Sequence, residues 1–143
     1  MKTIFSQLIQ ALIILLFVYA AVSKLLNFSM FHDQLYNQSF SHHLADVLQY
    51  LVPFSELIAS GLLLFRKSTL AGLGFSLVLL ILFTGYIILV LLHWWNRESC
   101  PCGGILTGLG WPGHLIINVI FIFLNLIAIS IKLKERRLTV SDK

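Results

Sequence analysis

Four long apolar runs separated by short polar breaks constrain this chain more than any other feature. They cover about residues 4–26, 44–65, 69–93 and 112–131. Each is close to the ~20 residues that an α-helix needs to cross the hydrocarbon core of a bilayer. Inside lipid a backbone must satisfy its own hydrogen bonds, which leaves helices and closed barrels, and runs this long are helices. The expected fold is therefore all-α: a polytopic membrane protein built as a single four-transmembrane-helix bundle. With 58% hydrophobic and 11% charged residues, the chain falls far below the roughly 25% charge of a soluble domain. The lipid bilayer is its first expected partner. No basic, aromatic-interleaved run suits nucleic acid.

The first run begins Met1-Lys2 and passes Tyr19-Ala20-Ala21, a pattern that resembles a cleaved leader. Its apolar character continues through Leu25 and Leu26, so a retained first helix is expected. Lys24, near its end, is placed to snorkel toward headgroups. Between the first and second runs lies NFSMFHDQLYNQSFSHH. Phe28, Phe31 and Leu35 are three and four apart there, which predicts a short interfacial helix. Its histidines, His32, His42 and His43, read as solvated or headgroup-facing. Pro53 should kink the second helix, because its ring removes an intrahelical hydrogen bond. Arg66-Lys67-Ser68 is a tight polar turn. Gly72 and Ser76 form a small-xxx-small pair suited to close helix contact. Trp94 and Trp95 mark an interface belt, and Pro112 suits the first turn of the last helix. Residues 132–143 form a basic tail.

In a four-helix topology Lys2, Arg66, Lys67, Lys132, Lys134, Arg136, Arg137 and Lys143 fall on one side, and only Lys24 and Arg97 on the other. The positive-inside rule then puts both termini in the cytoplasm. The loop of residues 96–110 faces outward, into an oxidising space where disulfides persist.

That loop contains Cys100 and Cys102, the only cysteines in the chain, in Glu98-Ser99-Cys100-Pro101-Cys102-Gly103-Gly104. A bridge across one residue closes a very small, strained ring, and strained bridges are the more easily reduced. It also closes too short a loop to act as an effective staple. Thiol–disulfide exchange is the favoured chemistry. Arg97 favours a thiolate and Glu98 opposes it. A passive bridge or inert loop thiols stand beside this reading. So does a soft-metal site, in which Cys100, Cys102, His93 and His114 would hold Cu(I) or Zn(II), although C-x-C is not the C-x2-C spacing of structural zinc sites.

Glu56 lies about ten residues from Arg66, hence ~15 Å deep by helical rise. A carboxylate there faces the bundle interior with a partner. Lys24 is one candidate; a protonated carboxyl bonded to Ser60 or to amides of the last helix is another. A polar clamp is the plainer role, and proton or quinone chemistry the sharper one. On the last helix His114, Asn118 and Asn125 share a face, and Asn side chains in such helices usually bond across to neighbours. Tyr86 and His93 share a face of the third helix. Should that face meet His114, the cysteine loop would cover a small polar pocket.

The run Ala21-Val22-Ser23-Lys24-Leu25 resembles the first-helix A-x-x-K-L pattern of DoxX-like membrane proteins, and Pro53-Phe54-Ser55-Glu56 their P-x-x-E. Cys100-Pro101-Cys102-Gly103-Gly104, with Asn118 downstream, resembles the MauE branch, the methylamine utilisation protein family. The resemblance implies a four-helix protein of the bacterial inner membrane, associated with maturation of a disulfide-rich subunit alongside a periplasmic thioredoxin-fold partner. Nothing in the residues ties the chain to methylamine. The expectation is a membrane thiol–disulfide protein acting through Cys100 and Cys102, with Lys24, Glu56, Tyr86, His93, Arg97, His114 and Asn118 as supporting polar groups. One dithiol cannot relay electrons across the bilayer, so a partner or a quinone would have to reset it. The alternatives are a non-catalytic assembly factor and a soft-metal carrier.

Overall fold

The computed structural model describes residues 2–37, 41–92 and 110–141. Five helices follow in order: α1 (Lys2–Leu26), α2 (Phe28–Tyr36), α3 (His42–Leu64), α4 (Thr69–Leu91) and α5 (Gly110–Ser141). All but α2 are long and apolar enough to cross a membrane. Together they make a multi-pass membrane protein, with the short α2 between the first two spans.

Around the bundle α1 packs on α3, α3 on α4, α4 on α5, and α5 on α1, closing a ring. The buried stripe of α1 is Ile9, Ile13, Phe17 and Ala21, recurring every four residues as one face of a 3.6-residue helix must. It meets Ala59 and Leu63 of α3, Leu73, Leu79 and Leu80 of α4, and Ala128 of α5. On the outside Ile4, Leu8, Leu12 and Leu15 of α1, and Ile116, Ile120, Phe123 and Ile127 of α5, are exposed. In lipid that exposure costs nothing, because the surroundings are as apolar as the side chains.

The turn between α3 and α4 is closed by polar side chains. Ser68 Oγ donates to Leu62 O at 2.8 Å, and Thr69 Oγ1 to Phe65 O at 3.1 Å. Gln10 of α1 donates to Leu63 O, which ties the first helix to this turn. Gly72 lets α3 and α4 approach closely: a Cβ there would sit 2.9 Å from Leu63 N and 3.0 Å from the Leu62 carbonyl carbon. Ser76, its expected companion, serves a different neighbour. Its hydroxyl accepts from Asn125 Nδ2 of α5 at 2.7 Å.

Three expectations are refined. Helix α3 runs unbroken from His42 to Leu64 with Pro53 buried inside it. It starts on the Ser41 cap, whose hydroxyl accepts from Leu44 N. Helix α5 begins at Gly110, which takes φ +62°, and continues through the basic tail to Ser141. Helix α2 is fastened to α3. Phe28 packs on Tyr50 at 5.6 Å, Tyr36 on His42 at 4.8 Å, and the Tyr36 hydroxyl donates to the Asp46 carboxylate. Early α2 thus meets later α3 and the reverse, so α2 runs antiparallel to the first turns of α3.

Candidate functional site

The most deeply buried charges among the described residues are Lys24 and Glu56. Lys24 Nζ donates to Glu56 Oε1 at 2.8 Å and to Ala20 O at 3.2 Å. The side chains are 11% and 2% exposed respectively. The expected snorkelling of Lys24 does not occur. Its side chain turns back along α1, the direction in which a helical Cα–Cβ bond already points, and so reaches a carboxylate deeper in the bundle. Ser60 does not serve the carboxyl group; its hydroxyl donates to the Glu56 backbone carbonyl at 3.0 Å.

Glu56 belongs to a buried stripe of α3 with Gln49, Pro53 and Ser60, at offsets of four, three and four. Pro53 has no N–H to offer the carbonyl of Gln49. Glu56 Oε2 and Gln49 Oε1 are both buried without a hydrogen-bond donor among the described residues. The stripe therefore presents acceptors, and among the described residues the Lys24 ammonium is the one cation bonded to it. Sequence reasoning passed over Gln49; its place two turns before Glu56 was the available signal.

A second polar contact joins α4 and α5. Asn125 is fully buried and bonds Ser76, whose hydroxyl donates in turn to Leu73 O at 3.0 Å. Asn118 and His114 are half-buried on α5. Tyr86 packs edge-on against Trp111, with centroids 6.1 Å apart and planes at 66°. This brings the end of α4 to the start of α5, three residues before His114. Cys100, Cys102, His93 and Arg97 lie outside the described residues, as do Trp94, Trp95 and Glu98. Among the described residues no cluster of three or more His, Cys, Asp or Glu side chains forms a metal site.

Where α2 meets α3, His32 stacks on Tyr36 at 4.2 Å, and His42 flanks the same ring. The hydrogen bond to Asp46 raises the Tyr36 phenol above its ordinary value; slight desolvation and the negative charge of Asp46 add to it. This cluster went unrecognised in the sequence because Asp46 sits in the first turns of an apparent membrane span.

Fold and buried pair together define a class: a small polytopic α-helical membrane protein whose first two spans are pinned by an intramembrane ion pair. The chain belongs to the MauE family; the profile described as methylamine utilisation protein MauE matches residues 2–131. No curated protein and no solved structure matches it.

Proposed function

We propose that this MauE-family protein is a thiol–disulfide exchanger of the bacterial inner membrane. In this reading both termini are cytoplasmic, the loop carrying Cys100 and Cys102 faces the periplasm, and the pair exchanges with a thioredoxin-fold protein there. The exchange supports disulfide formation or maturation of exported proteins. The observation that carries the reading is the sequence itself: the chain's only two cysteines stand one residue apart, in the segment joining α4 to α5 of a MauE-family protein.

The chemistry balances without an added reagent. A thiolate of one partner attacks the disulfide of the other and forms a mixed disulfide. The second thiolate of the attacking pair then displaces the new bond, so one dithiol is oxidised as one disulfide is reduced, with two electrons and two protons exchanged. A single pair must afterwards be returned to its starting state by a second partner or by a quinone reached from the bundle. Arg97 favours the thiolate form. Tyr86 and Trp111, packed together where α4 and α5 meet, brace the ends of the segment. Lys24 and Glu56 fasten α1 to α3.

Cys100→Ser and Cys102→Ser test the reading. One of the two should trap a mixed disulfide with a periplasmic thioredoxin-fold protein, visible as a thiol-sensitive adduct on a non-reducing gel. Intact cells should also label at this loop with a membrane-impermeant maleimide. Absence of any adduct, together with full client maturation in the double Ser variant, would discard the exchange and leave a non-catalytic assembly role.

A further inference from the structure

At the end of the bundle opposite the α4–α5 segment, a cleft of about 410 Å³ opens between α1, the α3–α4 turn and α5. That volume lies within the range of small-molecule sites, about 300–1,000 Å³. Both charged side chains on its wall are cationic: Arg66 from the α3–α4 turn and Lys132 from α5. Arg66 is exposed and has no carboxylate partner among the described residues. Lys132 gives one bond to Glu135, at 3.1 Å, and an ammonium has three donors. Gln7 and Gln10 complete the polar side. The rest is apolar, including Ile14 and Leu64, and Leu64 is 67% exposed.

The position of Leu64 decides what kind of molecule fits. It is the last residue of a span, two positions before Arg66. The cleft therefore straddles the boundary where hydrocarbon gives way to headgroups. A soluble anion would satisfy the two cations and leave Leu64 and Ile14 facing empty apolar space. A neutral lipid would satisfy the apolar wall and leave the cations without a counter-charge. Basic pockets between spans on the positive side of a membrane protein suit anionic headgroups, and a guanidinium forks naturally onto phosphate oxygens.

We propose that this cleft is a binding site for one anionic phospholipid. Its phosphate sits between Arg66 and Lys132, its glycerol region meets the Gln7 and Gln10 amides, and an acyl chain lies along Ile14 and Leu64. The occupied cleft ties α5 to the α3–α4 turn.

Native mass spectrometry of delipidated full-length protein, titrated with phosphatidylglycerol or phosphatidylcholine, tests the site. Wild type should take up one phosphatidylglycerol about thirtyfold more tightly than phosphatidylcholine, the preference expected of two cations near a membrane surface. Arg66→Gln with Lys132→Gln should abolish that preference. Lys67→Gln with Arg137→Gln removes equal charge outside the cleft and should keep it. Millimolar inorganic phosphate should not displace the lipid. Equal uptake of the two lipids by wild type would overturn the proposal, as would equal loss in both double variants or displacement by phosphate. The wild-type comparison decides the matter even if a variant fails to fold.

Discussion

Replacing Lys24 with Met removes the ammonium and keeps an unbranched side chain one atom shorter. The pair it breaks is 2.8 Å long, with its members 11% and 2% exposed. Coulomb's law at an effective dielectric of about 20 gives an attraction of about 6 kcal/mol at that distance. Most of this only offsets desolvation, which costs several kcal/mol per buried ion. The net worth of the intact pair is therefore small. Removing one member is another matter. Glu56 would remain beside Gln49 and Pro53 with Oε2 already lacking a donor, and it must then stay charged in the bundle or take up a proton. Breaking a buried pair from one side costs about 3–5 kcal/mol. The lower end applies here, because a chain unfolded within lipid also finds partners. Lys24→Met should thus lose about 3 kcal/mol, whereas Lys24→Met with Glu56→Leu should come within about 1 kcal/mol of wild type. Reversible unfolding in mixed micelles with rising dodecyl sulfate, followed by far-UV circular dichroism, measures both. The reasoning fails if the single variant is as stable as wild type, or if the double variant falls as far as the single one.

Three other predictions rest on separate contacts. Gly72→Ala puts a Cβ against the backbone of Leu62 and Leu63, which cannot give way as a side-chain tip would; a loss of about 1–3 kcal/mol is expected in the same unfolding assay. In a double-mutant cycle, Ser76→Ala and Asn125→Leu should couple by about 0.6–1.7 kcal/mol, the range for hydrogen bonds between spanning helices, and a coupling of zero would mean that the contact is not made. Tyr36 has its phenol raised above 10.0 by Asp46, so the folded state holds that proton more tightly than the unfolded chain. The contribution of this group to stability is complete below pH 10 and fades as the pH rises through the folded value. Subtracting the 295 nm titration of Tyr36→Phe from that of wild type should leave a step above pH 10, with the α2–α3 contact weakening over the same interval.

The four spans were legible in the residues because hydropathy is a local property summed along a helix. Length alone carried the count, and Arg66-Lys67-Ser68 marked the tight turn between the second and third spans. The polar contacts were legible only as residue types. Lys24, Glu56, Ser76 and Asn125 each stood out as polar groups in apolar helices, and such groups must find partners or face water. Lys24 carries two readings in the sequence, a headgroup-seeking end residue and a partner for Glu56, and its own helix does not choose between them; Gln10 and Gln49 carry none. Which atom meets which depends on the rotational phase and axial offset of two helices, and neither is encoded within one helix. A lysine two residues from the end of α1 reaches a mid-span carboxylate only because α3 lies beside it at one particular height. The sequence by itself determined that the chain spans the bilayer four times; tertiary packing decided that Lys24 turns inward to Glu56 rather than outward to solvent. The reason is that burying a carboxylate among apolar neighbours costs more than bending one lysine side chain back along its own helix.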